Sequence, residues 1–202
     1  MKKFNCNYLA IIFFATSTLV AEETEEIIAV ASYIESSELN ASPVDVISAE
    51  EFKNLRVSTV AELSKYLSIA SGSHFQTNAL DGVDQGMATI TLRGLDHAST
   101  LVLINKKRQT HSGTPSDEGE GYIDINIIPE IALERIEILK DGATSLYGSD
   151  AIAGVINFQT FQQFDGMRFL LGSQKTTNYD QRDNSLGVMF GGKFLEGDYV
   201  LA

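Results

Sequence analysis

The chain has 202 residues, enough for one domain with a core of its own and an appendage. It carries 27 Asp and Glu against 15 Lys and Arg, a formal charge of −12, which argues against a nucleic-acid binder because such a protein needs a basic face to displace counterions. No P-loop, HExxH, GxSxG or paired-carboxylate arrangement stands out, so no covalent chemistry is expected on this chain, and a secreted hydrolase has no nucleophile constellation behind it.

Lys2 and Lys3 precede an apolar run over residues 8–20, and Ala21 then gives way to Glu22, Glu23, Glu25 and Glu26. This is the pattern of a secretory signal peptide, residues 1–21, cleaved after Ala21. The run is shorter than the about 20 residues of a membrane-spanning helix; a retained N-terminal anchor is the alternative. Cys6 is the single cysteine and lies before the run, where a lipid acceptor would follow it. Cleavage removes it, so the remainder has no disulfide and no cysteine metal ligand. Cleavage also removes Lys2 and Lys3 and no acid, leaving an exported protein two charges more negative, suited to a basic partner.

Residues 22–42 are acidic and Ser-rich and read as an exposed, mobile segment with one apolar island over residues 27–31. From Pro43 the pattern is that of an α+β domain. Val44 and Val46 alternate with Asp45 and lead to Ile47, a short strand. Ser48 with Glu51 forms a capping box for a short helix through Phe52 and Leu55. Thr59 with Glu62 forms a second box, after which Val60, Leu63 and Leu67 recur at helical spacing. Residues 89–93 alternate, with Ile90 and Leu92 on one face. Residues 101–104 are apolar on both faces and read as a central strand, with Asn105 and Lys106 turning out of it. Pro129 starts a helical turn before a strand over residues 136–139. Residues 142–154 form a knot of tight turns in which Gly142, Gly148 and Gly154 allow reversals and Ser149 and Asp150 cap a helix start. Residues 155–158 close the sheet. Two long loops, about 75–87 and about 107–122, interrupt the domain; loops of this length are functional or disordered.

After Asp165 the texture changes. Met167, Phe169 and Leu171 alternate with Arg168, Leu170 and Gly172; Leu186, Val188 and Phe190 alternate with Gly187, Met189 and Gly191; Tyr199 and Leu201 begin a third run. Large apolar side chains on one face and small or polar ones on the other is the dyad pattern of a membrane barrel strand, which a soluble antiparallel sheet shares.

Residues 123–160 read IDINIIPEIALERIEILKDGATSLYGSDAIAGVINFQT, which closely resembles the plug-domain signature of TonB-dependent outer-membrane receptors. The resemblance continues upstream, in the family's order, through PVDVISAEEFKNL (43–55), TVAELSKYL (59–67), ITLRGL (90–95) and STLVLINKKR (99–108). Two departures are visible. Ser68-Ile69 stands where the family often has Pro-Gly, and Asn105-Lys106 where it often has a glycine that adopts positive φ cheaply.

The resemblance implies an α+β plug domain with a small mixed sheet and short helices (43–162), followed by the first antiparallel strands of an incomplete transmembrane β-barrel (163–202). Residues 22–42 become a flexible segment bearing the TonB box, Glu26, Ile27, Ile28, Ala29, Val30 and Ala31; a disordered tail is the plainer reading. An extended box adds as a strand to a partner's sheet, here the periplasmic domain of TonB. Arg93 and Arg135 sit where the family's arginines pair with acids on the inner barrel wall; an internal ion pair, for example with Glu134 or Glu137, is the alternative. The loops lie where the family's plug meets an extracellular nutrient ligand. Their polar candidates are His74, Gln76, Asn78, Asp81, Asp84, Gln109, His111, Ser112, Asp117 and Glu118, against the reading that any one of them is merely solvated. The histidines His74, His97 and His111 have no metal-ligand spacing, and neither metal nor cofactor is expected.

The implied function is energy-coupled uptake of a scarce nutrient, siderophore-like or otherwise large, through the outer membrane. The family's barrel has about 22 strands, whereas the residues after Asp165 make room for two strands and the start of a third at about 9–11 residues each. The sequence therefore reads as a fragment, a truncated frame or one piece of a split receptor. A free periplasmic plug-like binding module without a barrel is the alternative, and unpaired amphipathic strands speak against it.

Overall fold

Val44 and Val46 project from β1 (Val44–Ser48), which runs straight into α1 (Ala49–Leu55). The predicted capping box makes that junction: the Glu51 N–H donates to Ser48 Oγ at 3.2 Å and the Ser48 N–H donates to the Glu51 carboxylate at 3.0 Å. This computed structural model describes residues 44–55, 57, 59–74, 86–116, 119–175, 182–194 and 197–202. The segments read in the sequence as a signal peptide and a TonB box lie outside the described residues.

The second box also forms, with the Glu62 N–H donating to Thr59 Oγ1 at 3.4 Å. What it starts is a 3₁₀ segment, Val60–Lys65, and not an α-helix reaching Leu67. In a 3₁₀ turn residues i and i+3 eclipse, so Val60 and Leu63 share one buried face, and the segment ends at Tyr66, whose N–H bonds back to the Leu63 carbonyl. Residues 89–93 likewise form no sheet strand. Thr89 makes one bridge with His74, and positive φ at Arg93 (61°) and Gly94 (67°) turns the chain away. All of Thr89, Ile90, Thr91 and Leu92 are buried, so their alternation reports no solvent face. Side-chain acceptors replace a ladder: the Leu92 N–H bonds to Thr100 Oγ1 at 2.9 Å and the Thr91 N–H to Ser73 Oγ at 3.0 Å.

The main sheet adds β2 (Thr100–Ile104), β3 (Lys107–Arg108), β4 (Leu133–Leu139) and β5 (Gly154–Thr160) in the order β1-β4-β5-β2-β3. β5 is parallel to β2 and antiparallel to β4. The chain's last strand in this sheet thus takes the middle place, and residues 101–104, read as a central strand, lie inside the sheet between β5 and β3 with Leu101, Val102 and Leu103 buried. Val155, Ile156 and Phe158 are fully buried, which is the burial a middle strand needs on both faces.

Asn105 and Lys106 form the two-residue hairpin between β2 and β3 with φ of 51° and 65°, the positive pair of a type I′ turn. The glycine missing from the sequence is replaced by bonding. Asn105 Oδ1 accepts from the Thr160 N–H at 2.8 Å, and the Lys106 N–H donates to Asn157 Oδ1 at 2.8 Å.

One sheet face packs Val102, Ile136, Ile138, Ile156 and Phe158 under Phe52, Leu63, Ile90, Leu92 and Ile125. The other packs Leu101, Leu103, Leu139 and Val155 under Ala143, at the N-cap of α2 (Thr144–Tyr147), Tyr147 within it, and Ala151 of the 3₁₀ turn Ser149–Ala151. Gly148, at φ 83°, occupies the cap of that turn, so Ser149 and Asp150 do not cap it as expected. The Ser149 hydroxyl donates instead to Asp150 Oδ1 at 3.0 Å.

A second, antiparallel sheet follows: β6 (Gly166–Lys175), β7 (Arg182–Phe194) and β8 (Gly197–Leu201). The register puts Met167, Phe169, Leu171, Leu186, Val188, Phe190, Tyr199 and Leu201 on one face, as the dyad pattern requires. All are exposed, Leu171 to 80%.

Candidate functional site

Pro129 caps the 3₁₀ turn Glu130–Ala132, and this turn presses Ile131 and Ala132 onto the second sheet. There they bury Met189 completely, with Phe161, Phe164, Leu170 and Val200 packed around them. Gly187 keeps the approach close: a Cβ on it would lie 3.3 Å from both Cβ and Cδ1 of Ile131. The Arg168 guanidinium sits 4.6 Å from the Phe161 ring centre and 5.2 Å from that of Phe164. The Phe161 N–H donates to the Ala132 carbonyl at 3.0 Å and ties the segment between the sheets to the same turn. This seat went unread in the sequence. Its signal was present, as an apolar pair shortly after a proline at the turn and glycines four apart, 187 and 191, on either side of Met189. Burial, and then the negative charge of Glu62, raise the Glu130 carboxyl above the ordinary range.

The two arginines have partners within the domain. Arg93 Nη2 donates to the Lys140 carbonyl and lies 3.3 Å from Asp141 Oδ1, with nearly half of its side chain exposed. Arg135 Nε donates to Glu137 Oε1 at 2.9 Å, which realises the internal pairing left open by the sequence. Glu137 is 1% exposed, and its other oxygen accepts from Asn157 Nδ2 at 2.9 Å. Asn157 Nδ2 also reaches Gln159 Oε1 at 3.1 Å. The strand register explains the cluster: Glu137 faces Asn157 and Arg135 faces Gln159 across β4 and β5.

Of the loop candidates, Gln76, Asn78, Asp81, Asp84, Asp117 and Glu118 lie outside the described residues. His74, Gln109, His111 and Ser112 lie within them. Contrary to the loop reading, residues 107 and 108 are strand, and the remainder folds back on itself. The Ser112 N–H donates to the Tyr122 carbonyl at 2.8 Å and the Ser116 N–H to the Glu120 carbonyl at 2.9 Å. Arg108 ties the loop base to the glycine-rich knot, donating to Asp150 Oδ2 at 2.5 Å and to the Tyr147 carbonyl. A cavity of about 30 Å³ lies between His97, Arg108, Gln109, His111, Tyr122 and Asp150. That is room for one or two waters and not for an organic nutrient.

The Arg108 bond, then the Ser149 hydroxyl, hold the Asp150 carboxyl below its ordinary value. A lowered carboxyl contributes stability above its unfolded pKa and loses it as pH falls through the folded one. Arg108→Met is therefore expected to move the Asp150 midpoint upward in a carboxyl NMR titration. An unchanged midpoint would show that the tie is absent in solution.

The structure also joins two of the three histidines. Thr89 and His74 exchange both backbone bonds, at 2.8 and 3.1 Å, and the His97 ring stands edge-on to that of His74 with centres 5.2 Å apart. No group of three or more metal-ligating side chains occurs among the described residues.

A small mixed-sheet domain of tight turns, seated on the small-residue face of an antiparallel sheet whose other face is bare and apolar, has the form of a plug against the start of a barrel wall. The chain matches the model of the TonB-dependent Receptor Plug Domain family over residues 37–155 and belongs to that family. It is 32% identical over 148 residues to the iron-regulated outer membrane virulence protein of Vibrio cholerae, covering 73% of this chain and 21% of that protein. It is 30% identical over 156 residues to the vitamin B12 transporter BtuB of Vibrio vulnificus, covering 71% and 24%. Its fold is similar to a crystal structure of the ferric enterobactin receptor PfeA of Pseudomonas aeruginosa, a mutant in complex with enterobactin, with a TM-score of 0.59, 24% identity and coverage of 79% and 24%. The chain thus spans about a quarter or less of the length of these relatives.

Proposed function

We propose that this chain is the plug and first wall strands of a TonB-dependent outer-membrane receptor for energy-coupled uptake of a large, scarce nutrient. The observation that carries the reading is the seat of Ile131 and Ala132 on Met189 and Gly187, opposite a face of exposed Met167, Phe169 and Leu171. That division, protein on one side of a sheet and unpartnered large apolar side chains on the other, suits a barrel wall in lipid. No helix among the described residues is long and apolar enough to cross a membrane. Relatives named for vitamin B12 and ferric enterobactin support a cargo of that size class. No part of the mechanism needs bond chemistry on this polypeptide.

On this proposal residues 1–21 direct export, the segment Glu26 to Ala31 is the TonB box, and the loops bearing His74, Gln109, His111 and Ser112 face the ligand. Arg93 and Arg135 anchor the plug, by way of acids on the wall as well as through Asp141 and Glu137. The test is growth-linked uptake by the full-length gene carrying Val30→Pro, under iron or corrinoid limitation. Proline removes a backbone donor that strand addition needs. Uptake is expected to be lost while the receptor still reaches the membrane; uptake at the parent rate would refute this placement of the box.

A further inference from the structure

We propose that His74 and His97 form a two-imidazole site for a borderline divalent transition-metal ion, with positions left open for water or for the donor atoms of a small chelator. The assignment does not depend on the transport reading. It begins with the backbone. His74 and Thr89 are a directly opposed antiparallel pair that exchanges both N–H···O bonds, so their side chains leave the same face. His97, eight residues beyond Thr89, places Nδ1 3.3 Å from Thr89 Oγ1 and its ring 5.2 Å, centre to centre, from that of His74, at 79° between planes.

That spacing is the one a shared metal gives when a nitrogen of each ring turns toward a common point. With metal–nitrogen bonds of about 2.0–2.1 Å and the ring centre about 1.2 Å behind the nitrogen, two imidazoles at a tetrahedral angle stand about 5.2 Å apart. Thr89 supplies the outer support such sites use. When Nδ1–H of His97 donates to Thr89 Oγ1, the tautomer is fixed and the Nε2 lone pair is free to ligate. Both histidines are half-buried, which leaves the pair open to an ion and restrained in orientation. Imidazole nitrogen selects nickel, copper or zinc over calcium or magnesium, and the chain's charge of −12 favours a cation. Two protein ligands leave an incomplete shell, so the site suits an ion that brings its remaining donors with it.

The test is histidine modification by diethylpyrocarbonate on the full chain, mapped residue by residue, with Ni²⁺ alone and with Ni²⁺ held by nitrilotriacetate, which leaves two positions open. Saturable protection of His74 and His97 together, with His111 still reactive, is expected in at least one arm. Protection only by the nitrilotriacetate complex assigns the site to a chelated ion, and protection only by Ni²⁺ to the free one. Thr89→Val is expected to weaken protection about tenfold. Equal modification of His74 and His97 with and without metal in both arms would overturn the site, as would protection that tracks His111.

Discussion

Gly154→Ala is expected to destabilise the chain by about 3 kcal/mol or more, the sum of overpacking and backbone strain. A Cβ on Gly154 would lie 2.3 Å from the Leu139 carbonyl oxygen and 2.8 Å from Leu92 Cδ1. The Leu92 methyl has rotamers to move through. The Leu139 carbonyl does not, because Leu139 is held opposite Val155 where β4 meets β5. The backbone adds its own cost, since Gly154 has φ 144°, a region side chains rarely enter. Gly86→Ala is the matched control: φ is 83° and no atom among the described residues lies within 4 Å of the added Cβ, so strain of about 1 kcal/mol is the expected cost. Urea denaturation of the two variants measures the difference. Equal midpoints would mean that the β4–β5 junction yields.

The second large effect is at Glu137. Glu137→Ala is expected to cost about 3–5 kcal/mol, the penalty for removing one partner of a buried ion pair. Arg135, with 17% of its side chain exposed, would lose its buried carboxylate, and Asn157 Nδ2 would lose an acceptor at 2.9 Å. Removing both charges is a different experiment. Arg135→Met with Glu137→Leu is expected to recover most of the loss, because a buried pair replaced by apolar side chains of similar volume is often neutral or better. The cycle of single and double variants gives the coupling directly. A loss below about 1 kcal/mol for Glu137→Ala alone would mean that water reaches the site and the pair is effectively a surface one.

Local rules made part of this structure legible in advance. Ser48 and Glu51 form their box because a capping box depends on residues three apart and little else. The dyad of residues 167–171 and 186–190 survives because pleat and burial have the same period. What local rules could not supply was the place of each strand among its neighbours. β5 closes the sheet in chain order, and in space it sits between a parallel and an antiparallel partner. Residues 89–93 alternate as a strand would, but Ser73 and Thr100, distant in sequence, take their N–H groups. The histidine pair was hidden for the same reason: His74 and His97 have no telling spacing, and only the bridge to Thr89 brings them together. The seat on Met189 needed knowledge of which plug turn faces which wall residue, and no periodicity encodes that.

The strand order has a mechanical consequence. β1 has a single neighbour, β4, and is where the described fold begins. Its five residue pairs can be undone without parting β4 from β5 or β5 from β2. Among the described residues, Val44 and Ile47 are the partly buried hydrophobics of β1 packed against the clusters, both at the margin. A load arriving along the N-terminal segment would therefore meet a tear-off tab before it met the core. Loss of β1 would leave the four-strand remainder, β4-β5-β2-β3, with all of its own pairings.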